Sequence, residues 1–139
     1  MADLVRFGVS INDGLLNKFD KMVVQKGYSN RSEAIRDLIR NQLVELEWQN
    51  EEQEVAGTIT LIYDHHVRGL SKQLLEVQHG CHDLILSTMH LHLDHLNCLE
   101  VLAVKGLVKQ IQEAAQQLIS VRGVKHGRLT ITSTGRNLG

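Results

Sequence analysis

Near the start of the chain, L-V-R-F-G-V-S-I alternates apolar and polar positions, with Phe7, Val9 and Ile11 on one side and Arg6, Gly8 and Ser10 on the other. Strand side chains alternate faces, so this is the pattern of a half-buried strand. The period then changes. Asn12 and Asp13 can cap a helix that carries Leu15, Leu16, Phe19, Met22 and Val23 at helical spacing, and Gly27 ends it. In Y-S-N-R-S-E-A-I-R-D-L-I-R, Asn30 as N-cap with Glu33 three residues later has the form of a capping box. Ile35, Leu38, Ile39 and Leu43 supply the apolar stripe of a second helix. Strand, helix, helix is the expected order. One strand alone is not a stable sheet, and its simplest partner is the same strand of a second copy.

The acidic stretch at 45–54 reads as a helix tail running into a solvated linker, after which the rhythm changes again. Residues 55–63 read as a strand. Residues 67–77 read as a helix with Leu70, Leu74 and Val77 inward. Two strands at 84–93 and 98–104 flank a D-H-L-N turn, and a longer helix at 107–121 buries Val108, Ile111, Ala115, Leu118 and Ile119. Gly123 closes that helix and residues 124–132 form the last strand. The order β-α-β-β-α-β is the ferredoxin-like arrangement. No internal repeat or low-complexity segment interrupts it.

With 139 residues, 42% of them hydrophobic, the chain can build one ordinary domain or two small ones. No apolar run is long enough to span a bilayer and M-A-D-L-V-R has no signal-peptide pattern, so no membrane partner and a cytoplasmic location are expected. Two cysteines, Cys81 and Cys98, are too few for a disulfide framework and point to free thiols or metal ligands. The formal charge of −1 excludes a generally basic nucleic-acid binder. A specific reader working through a few placed residues is still open.

The histidines carry the chemistry. Seven of the eight lie from His65 to His95, within the second unit. In M-H-L-H-L-D-H-L-N-C, His90 and His92 fall on one strand face, and a hairpin would bring Cys98 to them. On their own the two imidazoles read equally well as exposed strand residues. With the thiol, the set suits nickel, copper or zinc, and His79 in Q-H-G-C-H is the natural fourth donor. Cys81 and His82 are competing donors that read more simply as an ordinary turn. His65 and His66, at a strand end, fit solvated or supporting roles, and His126 a structural one.

In the first unit, Arg6 and Ser10 could reach base edges if two strands paired as an antiparallel ribbon in a major groove. The start of the second helix, with Ser29, Asn30 and Arg31, is a ready phosphate anchor. A soft-metal site joined to such a unit suggests a metal-sensing repressor.

Three motifs, G-Y-S-N-R-S-E-A-I-R-D, H-L-H-x5-C-L-E and R-G-V-K-H-G, together with the rest of the chain, resemble the nickel-responsive regulators of the ribbon-helix-helix class, the NikR family. The resemblance implies an α+β chain. Residues 1–50 would form a ribbon-helix-helix (βαα) DNA-binding domain, 51–55 a linker, and 56–139 a ferredoxin-like βαββαβ (ACT-like) domain for metal binding and tetramerisation. It implies one Ni(II) per subunit, held in a square plane by His90, His92 and Cys98, with His79 donated by a neighbouring subunit. Glu100, Tyr63 and His65 would support those ligands. Arg6, Gly8 and Ser10 fall at the base-reading positions of the ribbon, where glycine replaces the serine or threonine of relatives. Glu33 and Asp37 match a weaker cation site, although carboxylates in a first helical turn also favour the helix dipole. The implied function is a homotetramer, a dimer of dimers, that binds a palindromic double-stranded operator when Ni(II) is bound and represses nickel-uptake genes. The alternatives are a metal-dependent enzyme, against which four protein donors and the lack of a catalytic motif argue, and a ribbon-helix-helix antitoxin with incidental histidines.

Overall fold

The computed structural model describes residues 3–50 and 52–139, so Glu51, at the head of the expected linker, lies outside the described residues, as do Met1 and Ala2. The chain forms helices α1 (Asp13–Gln25) and α2 (Arg31–Gln49), then β1 (Glu54–Asp64), α3 (Leu70–Gly80), β2 (Ile85–His92), β3 (Asn97–Leu107), α4 (Val108–Ile119) and β4 (Val124–Thr132). The sheet order is β2-β3-β1-β4, with every neighbouring pair antiparallel. This is the ferredoxin-like topology that the alternation of periods predicts.

The N-terminal segment differs from its expected form. Residues 3–11 are assigned to no strand, and Leu4, Phe7 and Val9 are 96%, 69% and 69% exposed. A lone strand has no ladder to join, so a single copy leaves this segment extended, with its apolar side open.

The first helix starts where the sequence places it, as the Asn12 side chain accepts from the Leu15 N–H at 2.8 Å. Asn30 caps α2 in the same way, accepting from the Glu33 N–H at 2.9 Å. The reciprocal half of the expected capping box is missing, because the Glu33 carboxylate pairs with Arg36. The third helix begins at Leu70, later than position 67. Gly69 holds a left-handed φ of 80° that a continuous helix cannot include, and Val67 is spent in a turn back to Asp64.

On the sheet face covered by α3 and α4, Val55, Ile59, Leu61 and Tyr63 of β1 meet Cys98, Leu102 and Val104 of β3. Leu70 and Leu74 of α3, with Val108, Ile111, Ala115 and Leu118 of α4, close the core from above. Gly127 lets α4 lie this close, since a Cβ there would stand 2.4 Å from Ile119 Cγ1. On the opposite face, Met89 and Leu91 of edge strand β2 are exposed. No described helix is long and apolar enough to cross a membrane.

Candidate metal centre

The register of three strands builds the site. Tyr63 of β1 pairs with Cys98 of β3, and Cys98 with His92 of β2. Leu61, Glu100 and His90 form the next row. Directly paired residues share a face, so both histidines, the thiol and the carboxylate project from the face on which α3 lies. The motif H-L-H-x5-C-L-E is therefore two adjacent rows of one sheet, folded back by the turn at Asp94. That turn is fastened by the Asp94 carboxylate, which accepts from the N–H groups of Leu96 and Asn97 at 2.9 and 2.8 Å. These bonds hold the Asp94 carboxyl below its ordinary value, the Asn97 side chain contributing most.

At the bottom of the row Cys98 is fully buried, and its sulfur lies 3.5 Å from His92 Nδ1. Metal–nitrogen and metal–sulfur bonds of about 2.0–2.1 and 2.3 Å subtend about 3.1–3.6 Å at cis to tetrahedral angles. The pair is thus already spaced for a shared ion. A buried thiol between imidazoles is a soft donor set that fits the late first-row metals. His90 flanks it, its ring 5.6 Å from that of His92 and edge-on to Tyr63 at 5.9 Å.

His65 comes closer to the thiol than the sequence indicates. Its Nδ1 is 2.8 Å from Cys98 Sγ, closer than that shared-ion span. His65, His92 and Cys98 are one of two groups among the described residues whose ligand atoms lie within 4.8 Å of one another. Burial, then the neighbouring His66, lowers the His65 pKa, favouring the neutral ring that can bind metal. Beneath the ligands Glu100 is only 6% exposed, and its Oε2 accepts from Gln78 Nε2 at 3.3 Å and, more weakly, from the Tyr63 hydroxyl at 3.5 Å. Burial and then the Glu100 charge push the Tyr63 pKa up, so its hydroxyl stays protonated as a donor. Gln78, which the sequence reading does not single out, ties α3 to the ligand rows.

His79 stands apart from this cluster, on the exposed end of α3 in a shallow depression with Leu75, Gln78, His82 and Ile85. Nearby, Cys81 donates its thiol to the Val77 carbonyl and burial raises its pKa, while His82 contacts the His79 carbonyl and Asp83. His126 lies exposed on β4, paired with Ile62.

In the first unit Arg6, Gly8 and Ser10 lie on the exposed extended segment, and Ser29 is exposed before α2. Arg31 is held by Asp20 through two bonds of 2.8 and 2.9 Å, and the Asn30 side chain is committed to its cap. Glu33 pairs with Arg36, and the Asp37 carboxylate accepts from the Tyr28 hydroxyl.

Comparison with known proteins gives this arrangement a family. Residues 56–132 match the model of the NikR C terminal nickel binding domain, and residues 5–46 match the ribbon-helix-helix protein, copG family. Proteins of Geotalea uraniireducens and Geobacter metallireducens are each 56% identical to the chain over 138 residues, and one of Nitratidesulfovibrio vulgaris is 54% identical. Each alignment covers 99% of both chains, and each relative is named "Putative nickel-responsive regulator". The chain belongs to the NikR family of nickel-responsive regulators, in which a ribbon-helix-helix DNA-binding domain precedes a nickel-binding domain, and it is not an enzyme.

Proposed function

We propose that the chain is a nickel-dependent repressor of nickel-uptake genes, acting in the cytoplasm as a homotetramer on a palindromic operator. The observation that carries this reading is the row in which a fully buried thiol, Cys98, lies beside His92 and one residue pair from His90 and Glu100. One nickel ion per subunit would be held by His90, His92 and Cys98 together with the partner subunit's His79. Within one chain His79 is exposed and belongs to neither of the close donor groups among the described residues, which supports a role across an interface. Held by those residues, nickel would supply a link between the end of α3 in one subunit and strands β2 and β3 of another.

The chain's own residues make that link consequential. Gln78 precedes His79 and bonds to Glu100, which pairs across the strands with His90, so the end of α3 is tied to the ligand rows of its own chain. The sheet face on which Met89 and Leu91 are exposed is available to bury subunits against each other. Residues 1–50 are assigned to DNA binding and 56–139 to metal and assembly, joined through 51–55. Two N-terminal segments pair into a ribbon in which Arg6 and Ser10 contact bases, and Gly8 adds none. Ser29, Asn30 and Arg31 meet phosphate, with Arg31 exchanging Asp20 for it. Glu33 and Asp37 form a weaker cation site, released from Arg36 and Tyr28. Nickel shifts the tetramer toward the DNA-competent arrangement only by its differential affinity for that state.

The test compares operator selection and binding with and without Ni(II) for the unmodified chain and His79→Ala. Nickel-dependent binding should be lost in the variant while its weak metal-free binding persists. Intact nickel-dependent binding in His79→Ala would show that no bridging ligand is needed.

A further inference from the structure

Three residues of the motif R-G-V-K-H-G, at 122–127, shape the last strand. Gly123 turns the chain into β4, Gly127 lets α4 lie close, and Lys125 interrupts the ladder. Ile62 pairs with His126 and Tyr63 with Val124, so one step along β1 matches two along β4. Lys125 is therefore the extra residue of a β-bulge, a feature that re-aims a side chain out of the regular alternation. Here the exposed side chain reaches past the end of β1 to β3, where its Nζ donates to Asn97 Oδ1 at 2.5 Å.

Asn97 stands between Lys125 and the turn that joins the ligand strands. Its Nδ2 donates to both Asp94 oxygens, at 3.1 and 3.0 Å, and the same carboxylate holds the N–H groups of Leu96 and Asn97. An ammonium only donates and a carboxylate only accepts, so a side-chain amide is a group that can bond to both at once. The Lys125 charge also helps to hold the Asp94 and Asp64 carboxyls below their ordinary values, which places the ammonium beside both. Cys98 follows Asn97 directly, and His92 ends the strand before the turn. The contacts from Lys125 thus end on the segment 93–97, between two donors whose atoms stand 3.5 Å apart.

Resting on the reading of His92 and Cys98 as nickel ligands, we infer that Lys125 is a positioning residue for that site. Through Asn97 and Asp94 it fastens the β2–β3 turn to β4 and holds His92 and Cys98 at metal-binding separation. Donors that are already in place lose less freedom on binding, which raises affinity and slows release. The sign of the effect separates positioning from charge. A cation beside a cation weakens binding, so removing the Lys125 charge would by itself strengthen nickel binding. Loss of the clamp does the reverse. The ammonium is exposed and faces two carboxylates, so its repulsion of the metal is screened and positioning dominates.

The experiment uses the full chain, Ni(II) and a competing chelator, with the ultraviolet thiolate-to-metal band as the signal. Lys125→Met keeps the apolar stem and loses the donor, whereas Lys125→Arg restores a donor. Lys105→Met is the control, because it removes an exposed lysine that pairs with Glu54 instead. Lys125→Met should bind nickel severalfold more weakly and release it severalfold faster. Lys125→Arg should recover most of both, and Lys105→Met should match the unmodified chain. In the metal-free protein the Leu96 and Asn97 amides should exchange severalfold faster in Lys125→Met, while those of Ile59 and Leu102 stay slow and report an intact sheet. Equal or tighter nickel binding by Lys125→Met would overturn the proposal, as would no recovery in Lys125→Arg or an equal loss in Lys105→Met. Failure of the nickel reading gives a different signal, namely no thiolate band in the unmodified chain. Amide exchange in the metal-free variants then still tests the clamp, and unchanged exchange in Lys125→Met would refute it.

Discussion

Helix α3 carries Gln78 and His79, yet little holds it down. It has 11 residues, no side-chain cap at its start, and two fully buried apolar anchors, Leu70 and Leu74, at 2% and 1% exposure. A helix shorter than about 12–15 residues is marginal in water on its own, so docking against the core supplies its stability. Replacing a buried leucine by alanine costs about 2–5 kcal/mol through lost transfer energy and the cavity left behind. Leu74, 1% exposed, belongs to the core cluster that α4 and the sheet share, and a cost of about 3 kcal/mol applies to Leu74→Ala. The strands keep their own ladders and apolar partners, so most of that loss falls on the undocking of α3 rather than on unfolding of the sheet. A change of about 3 kcal/mol raises the opening constant by about two orders of magnitude. Hydrogen exchange should therefore accelerate by that factor in the α3 amides, while β1 and β3 peptides stay slow. Nickel affinity should fall with it, because His79 is presented less of the time. Leu75→Ala, at a position 59% exposed, is the control and should change stability by no more than about 0.5 kcal/mol. Unchanged α3 exchange in Leu74→Ala, or equal acceleration in β1 and β3, would refute the view of α3 as a separately docked arm.

Three further outcomes follow from local geometry. Asn30→Ala removes the acceptor for the Glu33 N–H and should cost about 1 kcal/mol in chemical denaturation, with the slope against denaturant unchanged. Gly127→Ala forces a Cβ against Ile119 and should destabilise by about 1–3 kcal/mol in the same assay; a neutral result would mean that α4 can shift without loss. Asp94, whose folded pKa lies below the ordinary 3.8, holds the β2–β3 turn most firmly above that pH. Its contribution is lost as pH falls through the folded value. The amide resonances of Leu96 and Asn97 should move only below about pH 4, and in Asp94→Asn that acid-induced movement should be absent.

The strands of the second unit are legible because β1 and β3 alternate buried and half-buried positions over nearly their whole length. Residues 124–132 match β4 at both ends, since Gly123, with a φ of 106°, marks the turn before it. The motif H-L-H-x5-C-L-E gives the metal site away for the same reason. Period two fixes the face of each residue, and one tight turn fixes the register. What is not legible depends on directions that spacing does not encode. His65 lies one residue beyond β1, and only the turn through Asp64 brings its ring back onto the Cys98 sulfur. Gln78 reads as a polar residue on an exposed helix face until α3 is placed over Glu100. The start of α3 is misjudged because Val67 continues the apolar rhythm, while the left-handed Gly69 interrupts the helix. The N-terminal strand shows the converse. Its alternation predicts a strand, yet residues 3–11 form none within a single chain.

The central claim is that Cys98, His92 and His90 bind nickel as part of a link between subunits. A titration of the metal-free protein with Ni(II), followed by ultraviolet charge-transfer absorption and run beside Cys98→Ala, tests it most directly. The account predicts a sharp endpoint at one nickel per chain, with a thiolate band absent from the variant. A titration with no saturable thiolate band, or one that Cys98→Ala leaves unchanged, would contradict it.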